Sequence, residues 1–93
     1  MTQISIDDID ALAAFRAHLV RFNRELTENF AAMRAHWRQI GDIWHDDMYQ
    51  KFGDALQEVT PGIERYLAST EGHEAHLAGR IERFRAVREY GGS

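Results

Sequence analysis

Two apolar rows at three- and four-residue spacing, separated by one stretch bearing glycine and aspartate, leave this chain little to fold into except helix. The first row is Leu12, Phe15, Leu19, Phe22, Leu26, Phe30, Met33, Trp37, Ile40 and Trp44, with steps of 3, 4, 3, 4, 4, 3, 4, 3 and 4. Residues so spaced share one helix face and approach a heptad pattern, whereas a strand would alternate at every second residue. The second row is Tyr49, Phe52, Leu56, Val59, Ile63, Tyr66, Leu67, Leu77, Ile81, Phe84 and Val87, with Thr70 and His73 in seam positions at its middle. Runs rich in Ala, Leu, Arg and Glu favour helix throughout. Neither helix is expected to be stable alone, because helix stability in water comes mostly from burying the apolar face. The expected fold is therefore all-α: two long antiparallel helices in a helical hairpin that dimerises into a four-helix bundle.

The ends of the rows carry boundary signals that give one domain over residues 1–93, with helix 1 over about 6–41, a turn over about 42–46 and helix 2 over about 47–89. Ser5 can cap the first helix with Asp8 three residues on, and Ile4 and Ile9 have the spacing of a hydrophobic staple. Asp7, Asp8 and Asp10 place negative charge at the positive end of the helix dipole. Asp46 or Asp47 is a natural N-cap for the second helix. Arg80, Arg83, Arg85 and Arg88 suit its negative end, and Gly91 and Gly92 terminate it. Pro61 removes a backbone donor and crowds the preceding turn, but the row runs through it in phase from Val59 to Ile63. A kink is expected there; a break, with Thr60 capping a third helix, is the alternative.

With 93 residues the chain has room for one domain with a modest core, so association is expected to supplement folding. The absence of cysteine excludes a disulfide scaffold, thiolate metal sites and a cysteine nucleophile. A formal net charge of −4 disfavours nucleic acid, and the one basic cluster, Arg80 to Arg88, is diluted by Glu82 and Glu89. No apolar run approaches the ~20 residues of a membrane span, and MTQISIDDIDALAAF lacks the basic and apolar regions of a signal peptide. A cytoplasmic location is expected, or export in complex with a partner.

The stretch GDIWHDDMYQKF, Gly41 to Phe52, is the first place to look for chemistry. Asp42, His45, Asp46 and Asp47 are metal-ligand and acid–base residue types. Adjacent residues at a helix start diverge, however, and capping explains the aspartates without a ligand, so the stretch reads as a turn with Trp37 and Trp44 anchoring the bend. The second candidate is Glu71, His73, Glu74 and His76. Its histidines are three apart where a zincin helix needs four, and each glutamate precedes a histidine by two where a di-iron bundle needs three. A metal-binding bundle built on these four residues is kept as an alternative, the bland reading being a solvated helix face. A fold about residues 44–46 puts His73 level with Arg16 to Leu19, so His18 is a candidate neighbour, and a buried imidazole pair would make stability fall on mild acidification. Ser5, Ser69 and Ser93 lie in no glycine-flanked elbow, and no phosphate-binding glycine loop occurs. The chain is read as a non-enzyme without a cofactor. A structural coiled-coil component of a larger assembly is a further alternative.

A helix ending in Trp44-His45-Asp46 at a turn, followed by a second helix with Phe52 early on, resembles the WXG-type helical hairpins of type VII (ESX) secretion, the early-secreted-antigenic-target-like family. The resemblance covers the whole chain in architecture. It implies a homo- or heterodimeric four-helix bundle acting as a secreted substrate, or as a targeting or adaptor partner of a larger protein. The third motif position is Asp46, making the motif WxD rather than WxG, and an aspartate serves the turn there by capping. The family's export signal, a tyrosine followed four residues later by Asp or Glu, has no match: four residues after Tyr49 is Gly53, after Tyr66 is Thr70, and Tyr90 is followed by Gly-Gly-Ser. Phe15, Phe22, Phe30, Trp37, Trp44, Phe52, Tyr66 and Phe84 are expected to carry most of the burial.

Overall fold

A computed structural model of the chain describes residues 6–91. The fold is all-α, with α1 (Ile6–Ile40) and α2 (Asp47–Gly91) joined by a turn. Trp37 meets Tyr49, Asn23 meets Thr70 and Arg16 meets Glu74, so the helices run antiparallel as a hairpin. Asp7 and Asp8 lie in the first turn of α1, Asp47 in the first turn of α2 and Arg88 in its last, each matching the dipole. Ser5 as cap, Ile4 as staple partner and Gly92 as terminator lie outside the described residues.

At 1.5 Å per residue the 45 residues of α2 span ~68 Å, and the molecule measures 69 × 18 × 15 Å. Its radius of gyration is 20.5 Å, where a compact chain of this length would have about 12 Å. The hairpin is thus a rod two helices wide and one helix thick. A rod of that shape has a contact line and no enclosed interior.

The contact line has a heptad period. On α1 it runs through Ile9, Arg16, Asn23, Phe30 and Trp37, all buried or half-buried. On α2 it runs through Tyr49, Leu56, Ile63, Thr70, Leu77 and Phe84, and through Gly53, Thr60, Leu67, Glu74 and Ile81 beside them. These are the facing positions of an antiparallel coiled coil. Ile9 is 1% exposed and Ile81 4%, so the open end of the hairpin is closed by isoleucines.

Within the single chain the burial differs from that expected of the apolar rows. Phe15 is 58% exposed, Phe22 49% and Phe52 42%, and Met33, Ile40, Val59 and Tyr66 are also exposed. Trp44 is half-buried, like Trp37, Phe30 and Phe84. The physical reason is width. The apolar row on each helix covers more of the circumference than one neighbouring helix can shield, so the contact line takes one edge of the row and leaves the other in solvent.

α2 continues through Pro61 without a break. Thr60, which would have capped a third helix, instead donates its hydroxyl to the Leu56 carbonyl at 2.6 Å, as a mid-helix threonine does.

Candidate interaction surface

The turn end is built from Trp37, Tyr49 and two glycines. α1 closes with the Trp44 and Ile43 amides donating to the Ile40 carbonyl at 2.8 and 3.0 Å. Asp46 then opens α2: its carboxylate accepts the Tyr49 amide at 3.2 Å, which satisfies one of the free donors at the helix start. Of the two aspartates considered as cap, Asp46 makes this bond. Capping fixes Tyr49, whose ring stacks on the Trp37 indole at 4.5 Å and 11°. The pair is also tied at both ends, with the Trp37 indole N–H donating to the Tyr49 carbonyl at 3.2 Å and the Tyr49 hydroxyl donating to the Trp37 carbonyl at 3.0 Å. Trp44 meets the same ring edge-on at 5.4 Å.

Close approach explains the glycines here. A Cβ on Gly53 would run into the Trp37 indole, and one on Gly41 into the Tyr49 hydroxyl. His45 bonds the Asp42 carbonyl at 3.0 Å, and Asp42, His45 and Asp47 all face solvent. Asp46 through its carboxylate and His45 through the Asp42 carbonyl therefore hold the turn. Phe52 lies just beyond the cluster, on the exposed side.

Halfway along the rod the contact line turns polar. Asn23, 7% exposed, donates to the Thr70 hydroxyl at 3.0 Å and to the Glu74 carboxylate at 2.9 Å. Arg16 donates to the Glu74 carbonyl at 3.0 Å. The Asn23 Oδ1 is buried without a hydrogen-bond partner, so the layer costs stability while it marks the register. It also occupies the level at which His18 and His73 were expected to meet. Both histidines are exposed, and Asn23 with Arg16 takes the place assigned to them. Glu71, His73 and His76 likewise point outward, and Glu74 is turned to Asn23. Among the described residues no three of the potential ligands are grouped to hold a metal ion.

The largest unsatisfied feature is apolar. Phe15, Phe22, Met33 and Ile40 on α1 follow one another at intervals of 7, 11 and 7, which keeps them on one stripe. Phe52, Val59 and Tyr66 form the matching stripe on α2 at heptad spacing. The Phe22 and Tyr66 rings join the stripes edge-on at 6.4 Å. Between them lies an open groove of about 360 Å³ lined by Phe22, Leu26, Val59, Gly62, Ile63 and Tyr66. The rod exposes 7370 Å² where a compact monomer of its 10.7 kDa would expose about 5,500 Å². The excess, about 1,900 Å², exceeds the ~800 Å² that each partner of a standard interface loses. Among the described residues no helix is long and apolar enough to cross a membrane.

What the fold and this surface define is a helical hairpin with one apolar face left open. No family model, curated protein or solved structure matches the chain. Sequence reading missed Asn23, Arg16 and Gly53 as contact-line residues. Heptad spacing from Ile9 would have found the first two, and Gly53 stands four residues after Tyr49, where a contact-line position is due.

Proposed function

We propose that the chain is a small WXG-like protein that works by binding other proteins and has no catalytic role of its own. The observation that carries this reading is the exposed apolar face of Phe15, Phe22, Met33 and Ile40 with Phe52, Val59 and Tyr66. A contiguous apolar face on a rod with no interior marks an interaction site. Its straightness and heptad spacing suit another helical hairpin laid along it, a second copy of this chain or the hairpin of a larger partner, giving a four-helix bundle. The Trp44-His45-Asp46 turn, with Asp46 in the capping role, supports a setting in type VII secretion, as a substrate or as the targeting or adaptor partner of a larger protein. The route out of the cell under this reading is in complex with that partner.

Fractionation of the native host tests this setting. The chain is expected in the culture medium when the type VII motor ATPase is functional, and only in the cells when the ATPase is inactivated. The Phe22→Glu/Tyr66→Glu variant should remain in the cells in both cases. An equal distribution with and without the ATPase would reject the secretion role.

A further inference from the structure

The side of the hairpin opposite the apolar face carries a second feature, a cleft of about 460 Å³ near the turn end. Arg34 and Arg38 of α1 form one wall, Asp54 and Gln57 of α2 the other, with Trp37 and Gly53 between them. On α2, Gln57 and Pro61 stand roughly 160–200° around the helix from Val59, so this cleft stays open when the apolar face is covered.

Four observations describe what the cleft can hold. The Trp37 indole is fixed by its two bonds to Tyr49 and by the missing Cβ of Gly53, so the cleft has a rigid apolar floor. The Arg34 guanidinium lies 5.0 Å from the Phe30 ring centre, and its Nε is buried with no hydrogen-bond partner. A ring holds the cation in place but accepts little from its N–H groups, so Arg34 is positioned at the cleft with its Nε unbonded. Two arginines against one aspartate in the lining also make a locally positive site on a chain whose formal net charge is −4. Gln50 and Gln57 add amides that both donate and accept, the complement of a peptide backbone.

We propose that this cleft is a docking site for an acidic segment of a partner protein. An extended peptide would pair a carboxylate with Arg34 and Arg38 and lay a neighbouring apolar side chain on Trp37, while Asp54 takes a backbone N–H. The proposal is independent of what covers the apolar face, and it makes the hairpin two-sided.

The test is an NMR titration of the ¹⁵N-labelled full chain with the capped peptide acetyl-Asp-Leu-Glu-Phe-amide, and separately with its Asn/Gln counterpart, at matched ionic strength. The acidic peptide is expected to shift the Trp37 indole and Gly53 amide resonances saturably and to bind at least tenfold more tightly than the neutral one. Arg34→Gln/Arg38→Gln should remove that advantage. If circular dichroism finds that variant unfolded, Gln57→Glu on the exposed wall takes its place, with severalfold weaker binding expected. Absence of shifts at millimolar peptide, equal binding of the two peptides, the same shifts from sodium acetate, or binding unchanged by these substitutions would overturn the proposal. Molar mass measured on the same samples keeps this outcome separate from the fate of the apolar face.

Discussion

The turn end and the middle of the shaft join the same two helices by different means. At the turn, Trp37 and Tyr49 stack and exchange hydrogen bonds, Trp44 closes on their edge, Asp46 caps, and Gly41 and Gly53 let the backbones come close. All of these residues lie within a short length of chain, so the cluster forms with little loop-closure cost. At mid-shaft the helices meet through Asn23, Thr70 and Glu74, one buried oxygen goes unbonded, and the largest side chains, Phe22 and Tyr66, touch edge-on at the margin of the contact and stay largely in solvent. The aromatic cluster at the turn satisfies its own hydrogen bonds within a single chain, whereas the mid-shaft layer leaves a buried oxygen unbonded and its aromatic rings in solvent. Hydrogen exchange of the isolated chain should accordingly protect amides near the turn more than those around Asn23.

The comparison can be broken most heavily at its strong end. Trp37→Ala removes the stack, both tying bonds and the floor of the cleft, and should cost about 3 kcal/mol in thermal or urea unfolding, the low end for such truncations because the indole is half-buried. Phe22→Ala, in contrast, should cost the single hairpin much less. Next comes Gly53→Ala, where the added methyl has only the Trp37 indole to move into, at a cost of about 1–3 kcal/mol. The same change at Gly72, where a Cβ meets nothing, should instead raise stability by up to ~1 kcal/mol through better helix propensity. Opposite signs for one substitution on one helix would sharpen the contrast, and equal signs would remove it. Asp46→Ala should cost about 1 kcal/mol through the lost cap bond to Tyr49, read by the same unfolding measurement.

Helix and hairpin were legible in the sequence because apolar spacing reports which residues share a face, and Gly41 with the aspartates reports where that face stops. Spacing does not report how wide a face one neighbour can cover. The rows through Phe15 and Phe22 and through Ile9, Arg16 and Asn23 run side by side on α1, and the polar members of the second hid it from a search for apolar residues. For the same reason the His18–His73 pairing failed: level along the rod was right, but both side chains sit on the outer surface. The Trp37–Tyr49 exchange of hydrogen bonds depends on two particular rotamers across a turn, which no periodicity encodes. Of the two tryptophans at the bend, only Trp37 makes that exchange, although the motif-like stretch draws the eye to Trp44.

Light scattering with circular dichroism across a range of protein concentrations tests most directly whether the open apolar face is an interface. The account predicts a mass above the single chain's 10.7 kDa that falls to it in Phe22→Glu/Tyr66→Glu, or a lone chain with a broad, weakly cooperative melt until a partner hairpin is added. A single-chain mass at every concentration, with full helicity and a sharp melt that does not depend on concentration, would contradict it, because the face would then need no partner.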